Sequence, residues 1–252
     1  MTPEEILSYS PRVLTEDQRK YYFDNGYLLV ERVIPAKWIE RLKMVTQQMV
    51  ERSRTLKQSD AVFDLEPGHT NNNPRLRRMT SPVEHHNDYW EFASQSIIAD
   101  IAADLVGPDV KFHHSKLNFK WGHGGEEVKW HQDIGFWPHT NFSPCTLGLY
   151  LYDCDDSQGP LGVIQNSHTG PLYDQYDDDG EWVGHLSNRD VASIDQRDMI
   201  YLPGPAGSGQ GRGCRRHRAD PLGQPDDCRQ RDTVPYQPGG ECRGRPRGGV
   251  PG

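Results

Sequence analysis

The chain has 252 residues, a formal net charge of −8 and an apolar fraction of only 34%, with a mean hydropathy of −0.82. That length suits one large domain, the acidic balance argues against nucleic acid as the main partner, and the lack of an apolar run of about 18 residues argues against a membrane span. Five cysteines without a C-x-x-C spacing indicate neither a disulfide framework nor a zinc knuckle.

The N-terminus, Met1-Thr2-Pro3-Glu4-Glu5, lacks the charged-then-apolar order of a secretory leader, so a cytoplasmic protein is the default expectation. Thr15-Glu16-Asp17-Gln18 reads as a capping box. It opens a short helix bulked by Tyr21, Tyr22 and Phe23 and stopped at Asn25-Gly26, where positive φ is tolerated. Tyr27-Leu28-Leu29-Val30 reads as a strand. Pro35 stands where a first helical residue belongs, and Ile39, Leu42, Met49 and Val50 carry a helical period to about Arg54. Residues 55–88 are polar and irregular. Their basic cluster, Arg75, Arg77 and Arg78, reads as a solvated loop or as an anion contact. A helical period returns over 89–106 and ends at Gly107-Pro108.

Strand character begins at about Val110. Residues 111–120 alternate loosely, Gly122-His123-Gly124-Gly125 makes a loop, and 128–134 is the next predicted strand. Further strands are predicted over 146–152, 161–164 and 199–202, and the acidic run 174–179 with Glu181 reads as a solvated loop. Helices followed by short strands imply helices packed on a sandwich or barrel. From Ala206 the composition changes: eleven of the last 47 residues are Gly and nine are Arg. Such a segment cannot bury enough apolar surface to offset its ordering entropy. Its composition resembles a reading-frame change in GC-rich coding DNA more than an RNA-binding tail, because Tyr236 is its only aromatic residue.

The chemistry concentrates in 128–137, V-K-W-H-Q-D-I-G-F-W. In a strand, His131 and Asp133 project from one face. One further His would complete a 2-His-1-carboxylate face, which suits Fe(II) and leaves positions open. Trp130, Phe136 and Trp137 read as cavity lining or as ordinary core.

Four segments together resemble the phytanoyl-CoA dioxygenase family of Fe(II)/2-oxoglutarate oxygenases. They are Leu14-Thr15-Glu16-Asp17-Gln18 with residues 23–30; Lys116-Leu117-Asn118-Phe119-Lys120 ahead of Trp130-His131-Gln132-Asp133; residues 159–168, G-P-L-G-V-I-Q-N-S-H; and residues 196–203, Q-R-D-M-I-Y-L-P. The resemblance covers about residues 12–205. It implies a mainly β fold with flanking helices, a cupin-like jelly roll or double-stranded β-helix, in a domain over 1–205 that is incomplete at its C-terminal strands. Residues 206–252 would form a disordered or frame-shifted tail. It implies that His131 and Asp133 bind iron, that Gln132 lies beside the metal, and that the Arg77-Arg78 pair and Lys116 lie near 2-oxoglutarate or its surroundings. The family's second His corresponds by separation to His217, and its 2-oxoglutarate-binding Arg to Arg229 or Arg231, although their neighbours depart from the family pattern. His168 is the other downstream His, and its Ser-His turn reads as structural. The function implied is a dioxygenase using Fe(II), 2-oxoglutarate and O₂ to hydroxylate a small organic substrate. The alternative is a catalytically impaired or non-catalytic jelly-roll binding domain. Neither reading fixes the substrate or the oligomeric state.

Overall fold

Capping chemistry places the first helices of this chain, whose computed structural model describes residues 1–121, 127–136 and 144–213. Thr2 and Thr15 each close a capping box, for α1 (Pro3–Leu7) and α2 (Glu16–Asn25). α2 stops at Gly26, whose φ of +83° is the left-handed stop expected there. β1 (Tyr27–Val30) follows. Pro35 turns out to be the N-cap of α3 (Ala36–Ser53), one residue earlier than its predicted place. α3 buries Ile39, Leu42, Val45, Met49 and Val50 on one face.

The stretch 55–88 is not irregular. It contains β2 (Phe63–Leu65), β3 (Leu76–Thr80) and α4 (Pro82–His85). Leu76 and Met79 of β3 are fully buried while Arg77 and Arg78 between them stay half-buried. So few apolar anchors in a five-residue strand, beside a β-bulge between Asp64 and Leu65, leave little period to detect. The single helix predicted over 89–106 is two, α5 (Asn87–Gln95) and α6 (Ile97–Val106). Ser96 between them is extended, with ψ of 172°, and its hydroxyl accepts the Ile98 N–H at 3.3 Å to cap α6.

The remaining elements are β4 (Lys116–Asn118), β5 (Cys145–Leu149), β6 (Leu161–Ile164), α7 (Asn188–Ser193), β7 (Met199–Leu202) and β8 (Gly209–Gly213). All pairings are antiparallel: β1-β8-β5, β2-β3-β4 and β6-β7. One buried cluster joins α3, β2, β3 and α5, and a second joins α2, β1 and α6, with Leu147 of β5 packed against it. Among the described residues no helix is long and apolar enough to cross a membrane. β8 pairs on both sides although it lies in the Gly-rich stretch that follows 205. Composition spoke against burial of side chains, but a strand needs only backbone N–H and C=O groups, which glycine supplies.

A polar knot holds the N-terminal layer. Asp104 of α6 is 3% exposed, and its carboxylate accepts the backbone N–H groups of Arg12, Val13 and Leu14 at 2.7, 2.9 and 2.9 Å. Arg19 of α2, 1% exposed, donates to the carbonyls of Asp104, Tyr9 and Ile6. A buried charge is tolerated only when its bonds are filled in this way. Asp104→Ala is expected to lower the unfolding free energy by about 3 kcal/mol in a denaturant titration, because it removes the acceptor of three backbone donors, of which that of Leu14 is buried, and leaves the Arg19 side of the knot without its partner segment. A loss below about 1 kcal/mol would show the knot to be dispensable.

Tyr27 lies 7% exposed with its hydroxyl 2.7 Å from that of Tyr21. Burial first, then that hydrogen bond, push its phenol up to about 12 from 10.0. A phenol kept neutral by the fold favours folding below the unfolded pKa and loses that advantage as pH rises through the folded one. The melting temperature is expected to fall more steeply between pH 10 and 12 in the wild type than in Tyr27→Phe; parallel curves would remove Tyr27 as the cause.

Candidate metal centre

His131 and Asp133 do face each other, although 128–132 form no strand among the described residues and Asp133 opens a 3-10 turn, Asp133–Gly135. The reason is one extended residue. Gln132 has φ −109° and ψ 122°, which puts its two neighbours on one side as a strand would. His131 Nε2 lies 3.2 Å from Asp133 Oδ1, and the side chains are 12% and 5% exposed. His131 Nδ1 lies 2.7 Å from the Lys129 carbonyl. A carbonyl only accepts, so Nδ1 carries a proton; the neutral ring then presents the Nε2 lone pair toward the carboxylate, and the imidazolium donates Nε2–H to it. A proton on Nε2 satisfies that approach, and a metal ion in its place would be held by the same two atoms. The second carboxylate oxygen is taken: Thr146 of β5 donates to Asp133 Oδ2 at 2.7 Å. A neutral imidazole nitrogen and an oriented carboxylate oxygen fit a divalent first-row metal, and the bonds to Lys129 and Thr146 are of the kind that orients such ligands.

In place of a neighbouring strand, side chains bind this segment. The Gln132 N–H donates to Gln175 Oε1 at 3.3 Å, and Gln175 Nε2 donates back to the Gln132 carbonyl at 3.0 Å. Gln132's own amide is committed to the same loop, accepting the Tyr173 N–H at 2.8 Å and donating to the Pro171 carbonyl at 3.0 Å. Leu186 N–H donates to the Trp130 carbonyl at 2.8 Å. The acidic run is the solvated loop expected, with Asp174, Asp177, Asp178, Asp179 and Glu181 exposed, and it lies within a segment, 171–186, that Tyr173, Gln175 and Leu186 buckle onto the His131–Asp133 turn. Asp174 and Asp177 also accept backbone N–H groups within that run.

Around the pair, Phe136 meets His131 edge-on at 5.6 Å and Trp182 at 5.3 Å. Trp130 instead packs beside Tyr201 and over Gly162, where an added Cβ would lie 2.7 Å from its ring. Lys116 and Arg78 lie on adjacent strands and share a face, since Thr80 opposes Lys116 and Arg78 opposes Asn118. Arg78 is bonded to Asp64 at 3.1 Å. Arg77, 3.7 Å from the same carboxylate, lines a polar groove of about 410 Å³ that it shares with Lys57, Glu66 and His69. His114 connects β4 to the centre electrostatically. Partial burial, His113 and the Lys116 ammonium lower its pKa from the ordinary value, and Asp133 opposes them.

His168 is structural, as its turn suggested. Its Nε2 lies 2.9 Å from the Phe23 carbonyl, and Gly26 leaves room for the ring, since a Cβ there would stand 2.3 Å from Nδ1. Among the described residues no group of three His, Cys, Asp or Glu converges. His217, Arg229, Arg231, Trp137 and the loop at 122–125 lie outside the described residues. Thr146 and Gln175 were not singled out from sequence: one opens an ordinary strand and the other sits in an acidic run, so neither carries a pattern.

Comparison with known proteins bears on what this centre is. A family model described as phytanoyl-CoA dioxygenase (PhyH) matches residues 22–209. A probable alpha-ketoglutarate-dependent hypophosphite dioxygenase from Stutzerimonas stutzeri is 28% identical over 195 residues, 76% of this chain and 68% of that protein. The ectoine dioxygenase of Bordetella parapertussis is 26% identical over 162 residues, 62% of this chain and 50% of that protein. The match therefore spans about half the length of the ectoine enzyme. The crystal structure of EctD from S. alaskensis with bound Fe superposes with a TM-score of 0.65 at 21% identity, covering 82% of this chain and 71% of that one. EctD with 2-oxoglutarate and 5-hydroxyectoine gives 0.66 at 20% identity, covering 86% and 73%.

The buckle depends on Gly135, where an added Cβ would stand 2.4 Å from Gln175 Nε2 and 3.1 Å from Trp182. Gly135→Ala is expected to cost about 1–3 kcal/mol through overpacking and to speed amide exchange in 171–186. Unchanged exchange there would mean that the loop is held by other contacts.

Proposed function

Because this chain belongs to the phytanoyl-CoA dioxygenase family, we propose that it is an Fe(II)- and 2-oxoglutarate-dependent dioxygenase that hydroxylates a small organic substrate. The observation that carries this reading is the facing of His131 Nε2 and Asp133 Oδ1 at 3.2 Å, with the other carboxylate oxygen already bonded to Thr146. His131 and Asp133 are the proposed iron ligands, and His217 is the proposed third. When bound, iron supplies the oxidising chemistry with O₂, driven by decarboxylation of 2-oxoglutarate.

The chain's own residues do the orienting. Lys129's carbonyl holds the His131 ring with its lone pair forward, and Thr146 fixes the carboxylate rotamer. Lys116 offers an ammonium for the far carboxylate of 2-oxoglutarate, and Arg229 is the proposed second anchor. Arg78, on the face Lys116 occupies, is the remaining candidate near the co-substrate once released from Asp64. Gln132, expected beside the cofactor, is read as a tie to the loop, since both ends of its amide are bonded there. Phe136 and Trp182 form an apolar wall beside His131 that would shield the reacting centre from water. The β strands are read as part of a jelly roll, supported by the likeness to EctD. The domain is read as running through β8, with the Gly- and Arg-rich tail beginning after it. Likeness to dioxygenases of ectoine and of hypophosphite supports a small polar substrate.

The rival reading is a jelly-roll binding domain without a complete iron site. It draws on the absence of a third His, Cys, Asp or Glu beside the pair among the described residues. Anaerobic titration with Fe(II) and 2-oxoglutarate separates the two. The wild type is expected to develop the weak visible band of the iron–2-oxoglutarate chelate and, on admission of O₂, to release succinate. His131→Ala and Asp133→Ala are expected to lose both signals, and His217→Ala to weaken the band at least tenfold. No band in the wild type, with metal binding unaffected by His131→Ala, would sink the oxygenase reading and leave the binding domain.

A further inference from the structure

We propose that Gln175 is the positioning residue of the metal centre: its side-chain amide takes the place of a β-strand neighbour for Gln132 and so sets the angle between His131 and Asp133. This inference rests on the metal-binding reading of those two residues. Gln175 is 3% exposed and has no charge to compensate, so its burial must be satisfied by hydrogen bonds. Both are spent on one residue. Oε1 accepts from the Gln132 N–H at 3.3 Å and Nε2 donates to the Gln132 carbonyl at 3.0 Å. This donor–acceptor pair is the one an adjacent strand would present to an extended residue. Gln132 is the only residue between the two proposed ligands. Rotation about its φ or ψ swings His131 relative to Asp133, so pinning both its polar groups pins the 3.2 Å approach.

Three further features fit the same role. Gly135 lacks the Cβ that would displace Gln175 Nε2. Gln175's own carbonyl accepts the N–H groups of Val183 and Gly184 at 3.0 and 3.1 Å, so its main chain is anchored apart from its side chain. Among the described residues the Gln132 carbonyl has one other donor, the Gly135 N–H at 3.3 Å. Without the amide, the 131–133 segment would keep its sequence but lose its enforced extension. Ligand-orienting partners of this kind affect metal affinity about 10–100-fold.

The test is a Co(II) titration of the full-length protein, followed by the visible d–d absorption, which reports affinity and coordination geometry together. It is run well below each variant's melting temperature. Gln175→Leu removes both bonds at similar volume and is expected to weaken Co(II) binding at least tenfold and to change the band shape. Gln175→Glu can still accept from the Gln132 N–H but cannot donate to its carbonyl. It is expected to fall between wild type and Gln175→Leu, and it carries the test if the leucine variant does not fold. Asp177→Ala loosens the same loop through its turn without touching the bridge, and is expected to bind within threefold of wild type. Wild-type affinity and band shape in both Gln175 variants would overturn the inference alone, whatever their melting temperatures. Equal weakening in Asp177→Ala would overturn it too, by assigning the effect to the loop at large. A wild type that binds no Co(II) would overturn the inference together with the oxygenase reading.

Discussion

β1 and β5 do not pair with each other; β8 lies between them and pairs with both. That one insertion joins the N-terminal helical layer to the strand carrying Thr146, and Thr146 is the residue that orients Asp133. The register explains why glycine suits the position. Gly211 opposes Leu28 on one side and Leu147 on the other, and Gly209 opposes Val30 and Leu149. Leu28, Val30 and Leu147 all belong to the cluster with Leu105 and Ile101 of α6. A strand with no side chain on that face lets the flanking residues meet the helix. Glycine carries an entropic cost in a strand, and the close packing of the layers offsets it here.

The candidate centre is built on a second substitution of one interaction for another. An extended segment with no ladder still has N–H and C=O groups to satisfy. Here Gln175 and the Leu186 amide satisfy them from one loop, and the Gln132 side chain in turn satisfies two backbone groups of that loop. The consequence is mechanical. A strand edge would tie the ligands to the body of a sheet, whereas the buckle ties them to a loop that also carries Trp182 and the acidic run. Trp182 of that loop meets Phe136 of the ligand turn, while Thr146 ties Asp133 to β5.

The knot at Arg19 and Asp104 and the lock at Gly26 and His168 do the same work for the N-terminal layer. In each, a polar side chain fills backbone groups of a distant segment: Asp104 those of 12–14, His168 the Phe23 carbonyl. Asn25 meets the 165–166 turn as well, through its side chain to Gln165 and its carbonyl to the Asn166 N–H. Two of the segments that carry the family likeness are in this way in direct contact. Their joint appearance in the sequence has a structural cause, since a ring at 168 requires an absent side chain at 26.

Local signals were legible because local physics sets them. The capping box at Thr15, the stop at Gly26, the apolar face of α3 and the apolar runs of β6 and β7 each depend on residues within a few positions. The adjacency of His131 and Asp133 also followed from spacing, because one extended residue suffices for it. What spacing could not reveal was the cause of the extension. Gln175 lies 43 residues from Gln132, and an amide in an acidic run has no periodicity to betray it. Nor could composition reveal that Gly209–Gly213 pair on both sides. A tally of side chains measures what a segment can bury, whereas strand pairing depends on backbone groups that every such residue carries and on two open edges that only the folded chain brings together.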